Sequence, residues 1–327
     1  MNRQVMGNWM LVLALAVALG LVMQAPALAA AKQELVSAKV KQAPAGLDDA
    51  VWKDAKALEV PFEGKEKFAG MKAAVTVRSV YSGDNIYFLF HWKDANKSVT
   101  KGAWKYDGQQ WAQQKGNEDR ISLLFEIDRI NNFASKGCTV TCHGAADAPK
   151  KEWKFATASA AEKGDLWHWK AARSDPYHYA EDGWLTVAGE KTGRKVDEGK
   201  GGDAKNMTDD KSKPKFMRDP AKTASAPGFL LAEEAVEITD YAVFKAGDVI
   251  TYQMPKKPSG SQADIQAMSR YADGAWTLML TRKLNTGNAD DVAFNAQKKY
   301  SFAMALFDDS GDENSYDSEA MTLAFGR

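Results

Sequence analysis

The chain has 327 residues, 45% of them hydrophobic, with 43 basic and 43 acidic side chains. That is enough apolar material for a substantial core in one large domain or two small ones. The balanced charge argues against nucleic acid or an anionic membrane surface as the natural partner.

The first thirty residues read as a processing segment. Arg3 gives a positive start, Met10 to Met23 is an uninterrupted apolar run, and Ala27-Leu28-Ala29 has the small-x-small pattern of a cleavage site. The run is short of the roughly 20 residues a spanning helix needs. The expectation is a signal peptide over 1–29, exported to the periplasm or secreted, and one domain over 30–327; an uncleaved anchor is the alternative. No later stretch could span a membrane.

Glu34–Val40 alternates like a strand, and Leu47–Trp52 reads as a capped turn carrying a core Trp. Residues 63–70 read as a polar loop. Ala74–Tyr81 and Ile86–Trp92 are a strand pair across Ser82-Gly83-Asp84-Asn85. In the second, Tyr87, Leu89 and His91 share one face, and His91 reads as structural. Residues 94–118 are polar, with Trp104 and Trp111 embedded, and Arg120–Ile127 is a further strand.

Residues 131–164 have no strand pattern and read as an insertion. They hold the chain's two cysteines in Cys138-Thr139-Val140-Thr141-Cys142-His143. Two thiols and an adjacent imidazole are what covalent haem attachment needs: each thiol adds to one porphyrin vinyl group and the histidine binds the iron. The usual spacing is C-x-x-C-H; here the spacer is three residues. A local disulfide would close a short, strained loop and leave His143 without a role. A zinc site needs four ligands, and the other three histidines lie far away in sequence.

Asp165–Ala171 is the next strand, with Trp167 and Trp169 on one face and His168 on the other. The two Trp read as core. Residues 191–215, within a second insertion to about 225, read as a flexible surface loop. Strands are expected at Tyr241–Phe244 and Val249–Tyr252, a helix capped by Ser261 over 262–271, and strands at Trp276–Arg282, Tyr300–Phe307 and Met321–Phe325. The acidic run Asp308–Glu313 lacks the oxygen spacing of an EF-hand and reads as a solvated turn. Many short strands, and ten Trp, ten Tyr and fourteen Phe, point to an all-β antiparallel sandwich.

Several stretches together resemble the haem-binding subunits of ethylbenzene and dimethyl sulfide dehydrogenases. They are Leu47–Trp52, Ile86–Asp94, Asp165–Arg173 and pieces from Ser261 to Asp308, including Gly274-Ala275-Trp276 and Ala305–Asp308. The resemblance implies a β-sandwich like family-9 carbohydrate-binding modules, with a C-x-x-x-C-H insertion bearing haem c in the c-type members. It implies electron transfer without a catalytic role of the chain's own. The partners implied are redox proteins, with the iron–sulfur and molybdenum subunits of a DMSO reductase-type enzyme among them.

Cys138 and Cys142 are then the haem attachment sites and His143 the proximal iron ligand. The family's second ligand lies near Ser310–Asp317, which here has no His, Lys or Met. His168, on the strand the family places beside the haem, is the first candidate for the sixth position. Met217 is the second, and His178 and Met321 are also possible. Two other readings stay open: a carbohydrate-binding module, and a haem-based small-ligand sensor with an open sixth position.

Overall fold

Period-two alternation runs through most of the chain and builds one large sheet. Its strands are β1 (Glu34–Lys39), β2 (Leu58–Glu63), β3 (Lys72–Ser82), β4 (Asn85–Lys93), β5 (Arg120–Asp128) and β6 (Lys163–Lys170). They continue as β7 (Gly183–Leu185), β8 (Arg194–Val196), β9 (Ile265–Ala272), β10 (Ala275–Lys283), β11 (Tyr300–Phe307) and β12 (Met321–Phe325). Tyr179–Ala180 and Tyr316–Asp317 complete the 14 strands. The structure, a computed structural model, describes residues 33–64, 68–142, 155–189, 192–219, 229–311, 316–317 and 319–327. The expected signal segment lies outside the described residues, as do His143 and the Cys142 side chain. No helix among the described residues is long and apolar enough to cross a membrane.

The sheet runs β8-β7-β6-β5-β11, through Tyr316–Asp317, to β2-β3-β4-β10-β9 and Tyr179–Ala180. It curls on itself. β1 pairs with both β3 and β12, and β12 pairs with β11. The result is the expected sandwich, antiparallel apart from β1, whose two pairings are parallel. One layer brings Val75, Val77, Phe88, Phe90, Trp92 and Leu278 into the core; the facing layer brings Ile121, Phe125, Trp167, Trp169 and Phe302. The layers meet through aromatic rings: Phe88 to Trp167 at 5.8 Å and Trp92 to Trp169 at 6.1 Å. Each fully buried large ring contributes on the order of 4 kcal/mol of gross apolar burial. Trp167 and Trp169 are core, as read from the sequence.

Three expectations are corrected. The region 262–271 is not a helix. Ser261–Ala263 is a single 3-10 turn, and Ile265–Ala272 is strand β9, paired with β10. Ile265 and Ala267 are buried while Gln266 and Met268 are exposed, a period of two. Asp273 and Gly274 both have positive φ, at 53° and 71°, and close the hairpin, which fits the mirror-image turns favoured between twisted strands.

Tyr241–Phe244 is a turn, not a strand: Asp240 Oδ1 accepts from the Ala242 N–H at 2.8 Å, a local bond that competes with strand pairing.

The stretch 191–215 is not a loose loop. Arg194–Val196 pairs with β7, Asp203–Lys205 with Gln253–Pro255, and Phe216–Arg218 with Ala235–Glu237. Asn206, fully buried, ties these pieces together: its Nδ2 donates to the Phe216 and Thr251 carbonyls, and its Oδ1 accepts from the Phe216 N–H.

The 94–118 region carries a short hairpin, Trp104–Tyr106 with Trp111–Gln113, and β2 begins five residues before the loop expected at 63.

Candidate functional site

The layer β5-β6-β11 is covered on both faces. Inward residues alternate with an outward set: Ser122 and Leu124 of β5, Leu166 and His168 of β6, Ala303, Ala305 and Phe307 of β11. Ser122 stands opposite both Ala305 and His168, and Leu124 opposite both Ala303 and Leu166. The small side chains of Ala303, Ala305 and Ser122 leave space between the sheet and what covers it. That space is a small, mostly apolar cavity of about 70 Å³ that opens to solvent at its mouth. Its other walls are Cys138, Phe155, Leu185 and Arg194.

Cys138 reaches the cavity because the insertion is anchored at its roots. Glu126 Oε1 accepts from the Ile130 N–H at 2.9 Å, and Glu162 accepts from the N–H groups of Asn131 and Ala158 at 3.0 and 2.8 Å. Between these roots lies α1 (Phe133–Lys136), whose Phe133 is fully buried, then Gly137 with φ of 63°, and α2 (Thr139–Cys142). Cys138, 3% exposed, packs with Leu124, Ile130, Phe133, Leu185 and Ala303. Its carbonyl accepts from both the N–H and the hydroxyl of Thr141, at 2.9 and 2.8 Å, which starts α2.

His168 is buried and lines the cavity with its ring stacked on Phe307, centroids 5.5 Å apart. Its Nδ1 lies 3.3 Å from Nη2 of Arg194, and its buried Nε2 has no hydrogen-bond partner among the described residues. Burial holds its pKa well below the usual imidazole range, and Lys170, Arg194, Arg120 and Arg173 push the same way. The ring is therefore neutral, the state in which imidazole binds a metal. Beside it, Lys170 contacts Glu181. Burial lowers Lys170 to about 7, against the attraction of Glu181. Burial also penalises the Glu181 carboxylate, but Lys170 and Arg194 outweigh it and hold Glu181 at about 2.

The structure brings Cys138 and His168, some thirty residues apart in sequence, to one cavity. Met217 lies in Phe216–Arg218 and lines a different cavity with Phe229, Leu230 and Ile250. His178 is exposed, with φ of 57°; Met321 is fully buried in the main core; His91 is exposed, its Nδ1 3.1 Å from the Thr277 hydroxyl. Of the Ser310–Asp317 stretch, residues 312–315 are outside the described set. The expected solvated turn at 308–313 is partly corrected: Asp308 comes together with the buried Asp94 and Asp119.

Arg194, Glu181 and Phe307 were not singled out from the sequence, and no local motif marks them. A buried cluster of Asp165, Asp182 and Asp291 around Arg282 was also missed. Asp165 did carry a signal, since it shares the inward parity of Trp167 and Trp169. Burial raises the pKa of Asp165 and of Asp182.

The sequence pattern of a family described as ethylbenzene dehydrogenase matches residues 49–319. No curated protein matches the chain. Among solved structures it is similar to a Bacteroides uniformis protein described as carbohydrate-binding, at 8% identity and a TM-score of 0.39, over 90% of this chain and 100% of that one. It is also similar to a family-9 carbohydrate-binding module from Caldicellulosiruptor kristjanssonii. The glucose complex gives 6% identity, a TM-score of 0.37 and coverage of 90% and 96%; the cellotriose complex gives 7%, 0.38, and 90% and 95%.

Proposed function

The chain belongs to the ethylbenzene dehydrogenase family, and from that membership we propose that it is an exported c-type cytochrome that passes electrons between redox proteins. The observation that carries this reading is the shared cavity: Cys138 of the C-x-x-x-C-H motif and the buried His168 line the same apolar space. Cys138 and Cys142 would hold the haem covalently, His143 would be its proximal ligand, and His168 its sixth. When bound, the haem supplies a one-electron iron couple.

The chain's residues do the rest. Leu124, Leu166, Leu185 and Phe155 exclude water from the cavity, which lowers the local dielectric and so tunes the potential. His168 offers a neutral ring whose buried Nε2 has no hydrogen-bond partner among the described residues, an atom that an iron would bind through its lone pair once the proton sits on Nδ1. A ring ligated through Nε2 carries its proton on Nδ1. Ligation would therefore release Arg194 from Nδ1 toward Glu181, already 3.5 Å from it. Arg194, the cation in the lining, is also suited to a haem carboxylate. Two imidazole ligands keep the potential below that of a His/Met pair. The partners would be redox proteins, the iron–sulfur and molybdenum subunits of a DMSO reductase-type enzyme among them.

The test is a reduced-minus-oxidised visible spectrum of protein exported with c-type maturation machinery, with a pyridine haemochrome assay after acid–acetone extraction. Sharp α and β bands, and haem that resists extraction, are expected; both are lost in Cys138→Ala/Cys142→Ala. Protein without haem, or haem that extracts from the wild type, overturns the reading.

A further inference from the structure

On the side of β6 away from His168 lies a set of carboxylates that the electron-transfer reading does not use. Asp165, Asp182, Asp197 and Asp291 are each 5% exposed or less. Ligand oxygens of Asp165, Asp182 and Asp291 lie within 4.8 Å of one another, and so do those of Asp197, Asp290 and Asp291. The two triads share Asp291.

Arg282 is the cation beside them, with Nη1 at 2.6 Å from Asp165, 3.7 Å from Asp182 and 3.8 Å from Asp291. Its own position is fixed, since Nη2 donates to the Val292 carbonyl at 2.5 Å and the guanidinium lies 4.7 Å from the centre of the Trp167 ring. One guanidinium cannot balance four buried carboxylates in their charged form, and burial raises the pKa of Asp165, Asp182 and Asp197, so without a further cation the cluster holds protons in its place.

Each carboxylate is hydrogen-bonded through one oxygen only, and on Asp182 and Asp291 the other oxygen is the one facing Arg282 Nη1. Asp182 Oδ1 accepts from the Gly183 N–H at 3.1 Å, and Asp197 Oδ2 from the Ser261 hydroxyl at 3.2 Å. Asp291 Oδ2 accepts from the Thr286 hydroxyl and from Asn288 Nδ2. The remaining atoms, Asp182 Oδ2, Asp197 Oδ1 and Asp291 Oδ1, are buried and have no hydrogen-bond partner among the described residues. Asp197 belongs to no ion pair with Arg282, so its buried open oxygen is the atom least accounted for by the protein itself.

We propose that Asp197, Asp290 and Asp291, with Asp182 beside them at the hairpin root, bind a calcium ion. The donors are hard oxygens from several separate segments, and calcium accepts six to eight such ligands in flexible geometry, where magnesium demands a regular octahedron. Histidine and cysteine, which a transition metal would favour, do not enter either triad.

The position says what the ion does. Asp182 directly precedes β7 and Asp197 directly follows β8. Gly183 and Val196 are paired, so the two aspartates face each other at the root of the β7–β8 hairpin. Asp290 and Asp291 lie on the connection from β10 to β11. The ion fastens this root to the sandwich, and the same hairpin carries Leu185 and Arg194 to the cavity wall.

The test uses the purified, exported mature chain, and it reads metal content and melting temperature, which report the site with or without haem. After dialysis against calcium and then metal-free buffer, atomic absorption should find about one calcium per chain. EDTA should lower Tm by about 5 °C, with calcium restoring it and magnesium restoring it far less. Asp197→Asn should abolish the calcium response. Asp290→Asn, at a half-buried position, keeps the folded chain testable and should weaken calcium affinity at least tenfold. No bound calcium and no Tm response overturn the proposal. So does a response that persists unchanged in both variants.

Discussion

Nη2 of Arg194 lies 3.3 Å from Nδ1 of His168, on a side chain that also reaches Glu181 at 3.5 Å. A guanidinium only donates, so Nδ1 accepts, and the neutral ring keeps its proton on Nε2. Iron binding at Nε2 needs the other tautomer. Arg194→Gln replaces a donor with a side chain whose Oε1 can accept from an Nδ1 proton. A sixth-ligand imidazole made more basic in this way favours ferric iron. The reduction potential should fall, by on the order of tens of millivolts, as followed by spectroelectrochemistry. An unchanged potential would place His168 away from the iron.

Ala303 is fully buried at the floor of the cavity, opposite Leu124. Ala303→Phe puts a ring where the sheet leaves space. Overfilling a packed core costs about 1–3 kcal/mol, but an open cavity absorbs the ring with less strain. The folded yield should therefore stay close to wild type by circular dichroism, while covalent haem per chain falls several-fold in the haemochrome assay. Full haem loading in a folded Ala303→Phe chain would remove this cavity as the haem pocket.

The β9–β10 hairpin makes a separate stability prediction. Gly274 sits at φ of 71°, and a Cβ built there meets nothing nearer than the Asp94 carbonyl at 3.7 Å. Space is available, so the cost of Gly274→Ala is backbone strain alone, about 1–2 kcal/mol. Urea unfolding monitored by Trp fluorescence should give that loss with an unchanged slope. A neutral result would mean that the turn is not the positive-φ type.

This hairpin also marks where the sequence could be read and where it was misread. Strands β3, β4, β6, β10 and β11 were legible because they are runs rich in large apolar, aromatic and β-branched residues, alternating or continuous. β9 was missed because Ala267 and Ser269 give a weak period, and Ser261 with Asp264 imitates a helix cap; the Asp273-Gly274 pair was the better signal. At the site, Cys138 and His168 were legible as chemistry, but nothing local tells that Ala305 and Ser122 leave a cavity between them. That depends on which strands become neighbours. The buried aspartates were hidden for the same reason: Asp165, Asp182 and Asp291 are brought together only by the curl of the sheet.

The last prediction concerns pH. Asp119 is fully buried; its Oδ2 accepts from the Ser98 N–H at 2.8 Å and from Trp276 Nε1 at 3.0 Å. Burial, reinforced by the nearby Asp94, raises it to about 7, and burial raises Asp94 itself to about 6. Both folded values exceed the unfolded value near 3.8, so between these limits the folded chain holds protons that the unfolded chain has lost. The stability this gives is fully present below about pH 4 and is lost as pH rises to about 7. Asp94→Asn keeps the oxygen that accepts from the Asn96 N–H and removes one carboxylate from the group formed with Asp119 and Asp308. Relative to wild type, the variant should gain about 1–3 kcal/mol between pH 5 and pH 8. Chemical denaturation at both pH values measures the difference. Parallel pH profiles for the two proteins would mean that Asp94 and Asp119 do not share this penalty in the folded chain.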